Sequence, residues 1–185
     1  MIILAAPSGG GKSTMAKRLL NDFSEIKFSV SATTRQPRKG ETDGVDYHYL
    51  TRTQFLEKVE QGRFLEWEEF YNGTMYGTLK ADVESQLNKG YFVMLDVDVL
   101  GALNVKKMYG DEALSIFISP PSLKVLEKRL RNRGTESEKS LDLRLERARK
   151  ELNYADRFDL NIINDKVEPT YSEIKSAVQS FITNS

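Results

Sequence analysis

The stretch Ala5-Ala6-Pro7-Ser8-Gly9-Gly10-Gly11-Lys12-Ser13-Thr14 constrains this chain more than any other. The apolar run Ile2-Ile3-Leu4 precedes it, and a helical pattern with Met15, Ala16, Leu19 and Leu20 on one side follows. A buried strand, a glycine turn and a helix start therefore meet in one short segment. Three consecutive glycines let the backbone curl until successive N–H groups point into one cavity. The helix aims the positive end of its dipole at the same place. Lys12 adds a mobile charge, and the Ser13 hydroxyl can ligate magnesium. Such a loop suits a polyphosphate, hence a nucleoside triphosphate. The pattern G-x-x-x-x-G-K-[ST] is met except at its first glycine, which is Ala6 here. That replacement requires negative φ at position 6, as at a strand end. A flexible glycine turn that merely precedes a lysine is the alternative, and the order of strand, glycines, Lys-Ser and helix argues against it.

The remaining sequence bounds what is done with the phosphate. The 185 residues suffice for one compact unit with a sizeable core. Lys and Arg total 27, and so do Asp and Glu, so no polyanion-coating surface and no nucleic-acid partner are expected. The chain has no Cys, which excludes disulfides, thiolate metal sites and cysteine nucleophiles. Its single His, in Tyr47-His48-Tyr49, reads as a strand residue and not a catalyst. No segment has membrane-spanning length, and the N-terminal run is too short for a signal h-region, so a cytoplasmic location is the expectation.

Further along, Lys27–Ser31 reads as a second strand that runs into the polar, basic loop Ala32–Glu41, broken by Pro37 and Gly40. Val45–Leu50 alternates as a strand. Thr53 reads as the cap of a short helix with Phe55, Leu56 and Val59 inward. Phe64-Leu65-Glu66-Trp67 sets a carboxylate in an apolar run, Asn72-Gly73 signals a hairpin, and Thr78–Asn88 reads as a helix. A β-rich insertion thus separates two α/β stretches. Tyr91–Asp98 reads as a strand buried on both faces, ending in Asp96 and Asp98, which period two puts on one face. Either carboxylate could instead cap the helix that follows. Leu114–Ile118 reads as a further buried strand. Ser122 caps a helix on which Arg129 and Arg133 fall beside the leucine stripe. Glu136–Lys139 reads as a charged tip, and Glu138–Tyr154 as a helix whose inward-turning arginines spacing cannot identify. Leu160–Asn164 reads as the last strand before an amphipathic C-terminal helix. The alternation implies a doubly wound parallel sheet with ligands at the carboxyl ends of its strands.

The segments Ala6–Thr14, Ser31–Glu41, Asp46-Tyr47, Phe64–Trp67, Tyr76–Thr78, Leu95–Asp98, Pro120–Ser122 and Arg131–Thr135 resemble, in order, those of the guanylate kinase family. Thr34-Arg35-Gln36-Pro37-Arg38-Lys39-Gly40-Glu41 is the most family-specific of them. The resemblance implies an α/β fold: a P-loop NTPase three-layer αβα core with a parallel sheet, a small β-rich GMP-binding insertion and a helical lid. The implied boundaries are 1–31, 84–123 and 155–185 for the core, 32–83 for the insertion and 124–154 for the lid. It further implies transfer of the γ-phosphoryl of ATP to GMP, and to dGMP, giving ADP and GDP.

The roles carried over by the resemblance are these. Arg35 and Arg38, with the Tyr47 and Tyr76 hydroxyls, would clamp the acceptor phosphate, a task suited to arginine forks. Glu66 would accept from the two adjacent donors of guanine, with Ser31, Thr78 and Asp98 assisting. Ser8, Gly9, Gly10, Gly11, Lys12, Ser13 and Thr14 would bind ATP, with Asn164 near its adenine. Mg²⁺ would sit by Ser13 and, through water, Asp96. Lys12, Arg129, Arg133 and Arg144 would meet the transferring phosphoryl group. The expected partners are ATP and GMP, with no membrane and a monomer or weak homodimer. Two other readings stay open: a same-fold kinase for another phosphorylated acceptor, against which Glu66 argues, and a non-catalytic module of similar sequence, against which Lys12 argues. Leu100, where the family usually carries Gln, removes a polar contact at that position.

Overall fold

The first strand, β1 (Ile2–Ala5), sends alternate side chains into two apolar layers, and the core follows from that alternation. Ile2 and Leu4 cluster with Met15 and Leu19 of α1 (Lys12–Asp22) and with Ile174 and Val178 of α7 (Val167–Asn184). Ile3 and Ala5 face the other way, toward Val83 of α3 (Lys80–Leu87) and toward Val99, Ala102 and Val105 of α4 (Val99–Tyr109). The result is a three-layer αβα sandwich, seen in a computed structural model that describes residues 1–70, 73–132 and 138–185. Its central sheet is wholly parallel. The other strands are β2 (Ile26–Phe28), β7 (Phe92–Asp96), β8 (Leu114–Ser119) and β9 (Leu160–Ile163), in the order β2-β7-β1-β8-β9. Leu4 pairs opposite Asp96, so the carboxyl ends of β1 and β7 open side by side. The glycine loop and Asp96 thereby share one edge.

The β-rich insertion forms its own sheet. It contains β3 (Ala32–Thr33), β4 (His48–Tyr49), α2 (Arg52–Glu60), β5 (Phe64–Glu69) and β6 (Met75–Leu79), with strand order β4-β3-β6-β5. Its separate core is Ala32, Phe55, Phe64 and Met75, in which the Phe55 and Phe64 rings stack 4.4 Å apart. A third group of apolar contacts, Leu126, Leu130, Leu141 and Ala148, joins α5 (Leu123–Asn132) to α6 (Glu138–Leu152).

Local differences from the sequence-based expectations have simple causes. The second strand is shorter than Lys27–Ser31, and only His48–Tyr49 of the Val45–Leu50 run pairs as a strand. Thr51, not Thr53, caps α2, through a capping box with Gln54. Phe55 is fully buried, whereas Leu56 is 37% exposed, because it lies about 100° around the helix from Phe55. Thr78 belongs to β6, and the helix begins two residues later, at Lys80. β5 and β6 form the antiparallel hairpin signalled by Asn72-Gly73, although Asn72 lies outside the described residues. So do Arg133, residues 134–135, and residues 136–137 of the charged tip.

Because Phe55 supplies the largest fully buried side chain of the insertion's core, Phe55→Ala should cost about 3–5 kcal/mol. Urea melts followed by far-UV circular dichroism measure this. A loss below about 1 kcal/mol would mean that the stacked pair does not hold the small sheet together.

Candidate active site

The glycine loop takes the shape its sequence requires. Gly9 and Gly11 adopt positive φ, 88° and 101°, and no described non-glycine residue does, so Ala6 has the negative φ its position demands. Gly10 N donates to Pro7 O at 2.8 Å, which closes the turn. α1 then starts at Lys12 with Gly11 as its N-cap and no side-chain cap. Its first N–H groups are left for an anion. Gly11 is fixed from behind as well: a Cβ there would collide with the Asn164 side-chain amide. Asn164 lies just beyond β9, 4% exposed, and its Nδ2 donates to Gly10 O at 2.7 Å. Ser8, Ser13 and Thr14 line the cleft in front of the loop, whereas Asn164 buttresses it from the core.

Lys12 bridges the loop to the neighbouring strand. Its Nζ donates to Val97 O at 2.9 Å and pairs with the Asp96 carboxylate. Asp98 does not share the strand face with Asp96. β7 ends at Asp96, and Asp98 turns away to cap α4, its Oδ1 accepting from Leu100 N at 2.8 Å and Gly101 N at 3.1 Å. The other Asp98 oxygen stays close to Glu66: a Cβ on Gly101 would meet Glu66 Oε2 at 2.8 Å and Asp98 Oδ2 at 2.9 Å. Glycine at 101 is therefore what lets α4 start against the Glu66 carboxylate.

Glu66 is deeply set on β5. Thr78 on β6, 1% exposed, donates its hydroxyl to Glu66 Oε1 at 2.6 Å and fixes the rotamer. Burial pushes the Glu66 pKa up to about 7; the Thr78 hydrogen bond works against this, and the nearby Asp98 charge adds to it. Across the same cleft, Arg35 is held bidentately by Glu41, at 2.8 and 3.0 Å. Its guanidinium lies 5.1 Å from the Tyr47 ring centroid. Glu41 also accepts from Tyr49 Oη and Arg38 N, and the Arg35 bond, with these, lowers its pKa to about 2. Tyr76 packs edge-on against Tyr47 at 5.9 Å. Arg38, Tyr47 and Tyr76 face the cleft together, with Ser31 behind them.

Both halves open into one cavity of about 630 Å³, which takes in the glycine loop, Lys12, Asp96, Arg35, Arg38, Tyr47, Glu66, Tyr76 and Arg144. Arg144 of α6 donates to Ser8 Oγ at 2.8 Å. Arg129 of α5 donates to Asn164 O at 2.8 Å and keeps Nη1 buried without a hydrogen-bond partner. Arg133 lies outside the described residues. Arg147, Glu68 and Glu151 also line the cavity; spacing alone leaves the direction of Arg147 open, and Glu68 and Glu151 carry no assigned role in the sequence reading. Glu41, which braces Arg35, stood in the basic loop without an assigned role; its spacing six residues after Arg35 was the only available signal.

Similarity to known proteins runs along the whole chain. The guanylate kinase family profile matches residues 1–181. A guanylate kinase of Chlorobium luteolum is 47% identical over 99% of this chain and 92% of its own length. One from Salinibacter ruber is 46% identical over 100% and 97%. A crystal structure of guanylate kinase from Anaplasma phagocytophilum superimposes with a TM-score of 0.76 at 32% identity, covering 97% of this chain and 84% of that one. The match runs almost end to end, and the chain belongs to the guanylate kinase family.

Proposed function

We propose that this chain catalyses ATP + GMP → ADP + GDP in the cleft between the glycine loop and the insertion, with residues 32–83 as the acceptor lobe and 124–154 as the lid, in the cytoplasm. The observation that carries the reading is the opposition of two unlike sites in one cavity: N–H groups with Lys12 on one wall, and Glu66 with Arg35 and Arg38 on the other. The donor's phosphates fit the uncapped start of α1. The acceptor's phosphate fits Arg35, Arg38, Tyr47 and Tyr76, and bidentate guanidinium contacts hold such a dianion well. Glu66, once ionised, offers two oxygens to the ring N1–H and exocyclic amine of guanine. Adenine would set its N1 lone pair against the same carboxylate, and a site of this kind can reject the wrong partner by roughly 10⁴-fold.

The acceptor oxygen is already ionised, so no general base is required, and catalysis rests on alignment and charge neutralisation. Lys12 leaves Asp96 for the β- and γ-phosphates when the donor enters. Arg144 reaches the loop at Ser8 and is positioned for the transferring group, and Arg129 and Arg133 are assigned there with it. The oxygen donors Ser13 and Asp96 on the cleft wall fit Mg²⁺, a hard cation that prefers such ligands and retains waters. When bound, that ion would offset phosphate charge; among the described residues no group of three acidic or His side chains offers a dedicated metal cage.

Acceptor choice tests the reading. ADP production should be fast with GMP, slower with dGMP and negligible with AMP, UMP or CMP. Glu66→Gln should cut kcat/KM for GMP about 10²-fold or more while ATP still binds, because one acceptor oxygen becomes a donor. Equal rates with AMP and GMP would refute it.

A pH dependence follows from the burial of Glu66. Guanine needs the ionised carboxylate, so KM for GMP should rise about tenfold between pH 8 and pH 6 as Glu66 takes up a proton near pH 7. The same raised pKa means that the folded state binds the proton more tightly than the unfolded chain does. Glu66 therefore costs stability above about pH 7, and that cost fades as pH falls toward the model-peptide value of 4.5. Glu66→Gln should accordingly raise Tm at pH 8 by about 3 °C or more. It should also lose the part of the KM profile that is not due to the GMP phosphate itself. A Gln variant with an unchanged KM–pH profile would show that another group titrates.

A further inference from the structure

Arg147 is a cationic cleft residue to which the reaction just described gives no part. It sits on α6, one turn after Arg144, so both guanidiniums project from the same helix face. Arg144 reaches back to Ser8 of the donor loop. Arg147 reaches the opposite way. Its Nη2 donates to Glu68 Oε2 of β5 at 2.9 Å, across 79 positions of sequence, and its Nε donates to Glu151 Oε1 of its own helix at 2.6 Å. The guanidinium carbon also lies 4.6 Å from the centroid of the Phe70 ring, which packs edge-on against Tyr76 at 5.3 Å.

Both contacts bear on the acceptor site. Glu68 and Glu66 are two residues apart on one strand and share a face, so fixing one fixes the height of the other. Phe70 in turn carries the ring of Tyr76 on the phosphate side. We propose that Arg147 is a positioning residue for the acceptor: bridged to Glu68 and Glu151 and stacked on Phe70, it holds β5 against α6, so that Glu66 and Tyr76 stand ready for GMP while Arg144 meets the donor loop. The proposal rests on the GMP kinase reading above.

Electrostatics point the same way. The Glu68 and Glu151 carboxyls are half-buried, and burial raises the pKa of each against the pull of Arg147. Without Arg147 two desolvated carboxylates would face a cleft that must admit two polyanions, and breaking such a bridge from one side leaves the other side uncompensated. Cation–π contact with Phe70 adds geometric definition that a lysine would reproduce poorly.

The test is a double-mutant cycle read as a KM-against-kcat split, with Arg147→Ala, Arg147→Lys, Glu68→Gln and the Arg147→Ala/Glu68→Gln pair. KM for GMP should rise about tenfold in Arg147→Ala and about threefold in Glu68→Gln, with KM for ATP within about twofold of wild type in both. Arg147→Lys should fall between wild type and Arg147→Ala. The double variant should be no worse than Arg147→Ala, because the two side chains act as one unit. Trp67, the chain's only tryptophan, lies between Glu66 and Glu68, and its fluorescence should report weakened GMP binding in step with KM. An active wild type with GMP constants unchanged in both single variants would overturn the inference, as would effects that multiply in the double variant. If Arg147→Ala melts more than about 10 °C below wild type, the near-isosteric Glu68→Gln decides alone by the same KM criterion. A wild type that makes no ADP with GMP would instead refute the underlying kinase reading.

Discussion

The whole arrangement depends on a helix that begins without a cap. α1 leaves its first N–H groups unmatched by any side chain, and with glycine as the N-cap the omission costs the helix only a few tenths of a kcal/mol relative to Ser, Asp or Thr. The surrounding structure makes the omission tolerable. β1 is buried on both faces, and Met15 and Leu19 anchor the first turns of the helix in the core. Asn164 grips the carbonyl of Gly10 from the far side of the sheet and fills the space a Cβ on Gly11 would need. Lys12 is parked on Asp96 and Val97 O. The loop is thus preorganised for negative charge before any arrives, which is the condition under which fixed dipoles act most strongly.

The acceptor half applies the opposite strategy. Arg35 is not left open. Arg35 is locked on Glu41, and Glu41 is itself held by Tyr49 and the backbone of Arg38. Such a network fixes the direction of a guanidinium whose side-chain freedom would otherwise have to be lost on binding. Glu66 is held by Thr78 in the same way. The two walls differ because their ligands do: a triphosphate is met by backbone, a base by a single oriented carboxylate.

How much of this the sequence discloses varies with the distance between partners. The glycine loop is legible because strand, turn, lysine and helix are contiguous, and the unbroken apolar run Ile2-Ile3-Leu4 already marks a buried strand. The parallel sheet follows from buried runs such as Phe92–Leu95. The buried state of Glu66 does not follow, since it depends on Thr78, Gly101 and Asp98 arriving from three other segments. Of the two readings open for Asp98, strand face or helix cap, the structure takes the cap, because β7 stops at Asp96 and period two says nothing of where a strand stops. Leu56 was misjudged for a similar reason: a three-residue apolar set on a short helix does not reveal which flank meets the core.

Arg147 marks the limit most clearly. On α6 it is one of several arginines in a charged helix, and the bland reading of such a face is solvation. Its identity as a bridge is created by β5, which meets it from 79 positions away in the sequence. The same holds for Glu68, which at sequence level is merely the polar partner of Trp67 in an alternating strand. The pair adds a polar bridge between β5 and α6 beside the apolar cluster to which Leu65 and Leu152 of the same two elements belong. It is weak as a source of stability, since half-buried charges must first be stripped of water. What it can supply is a defined distance between the wall that reads the base and the helix that reaches the donor, and that distance is what an in-line transfer between two bound phosphates requires.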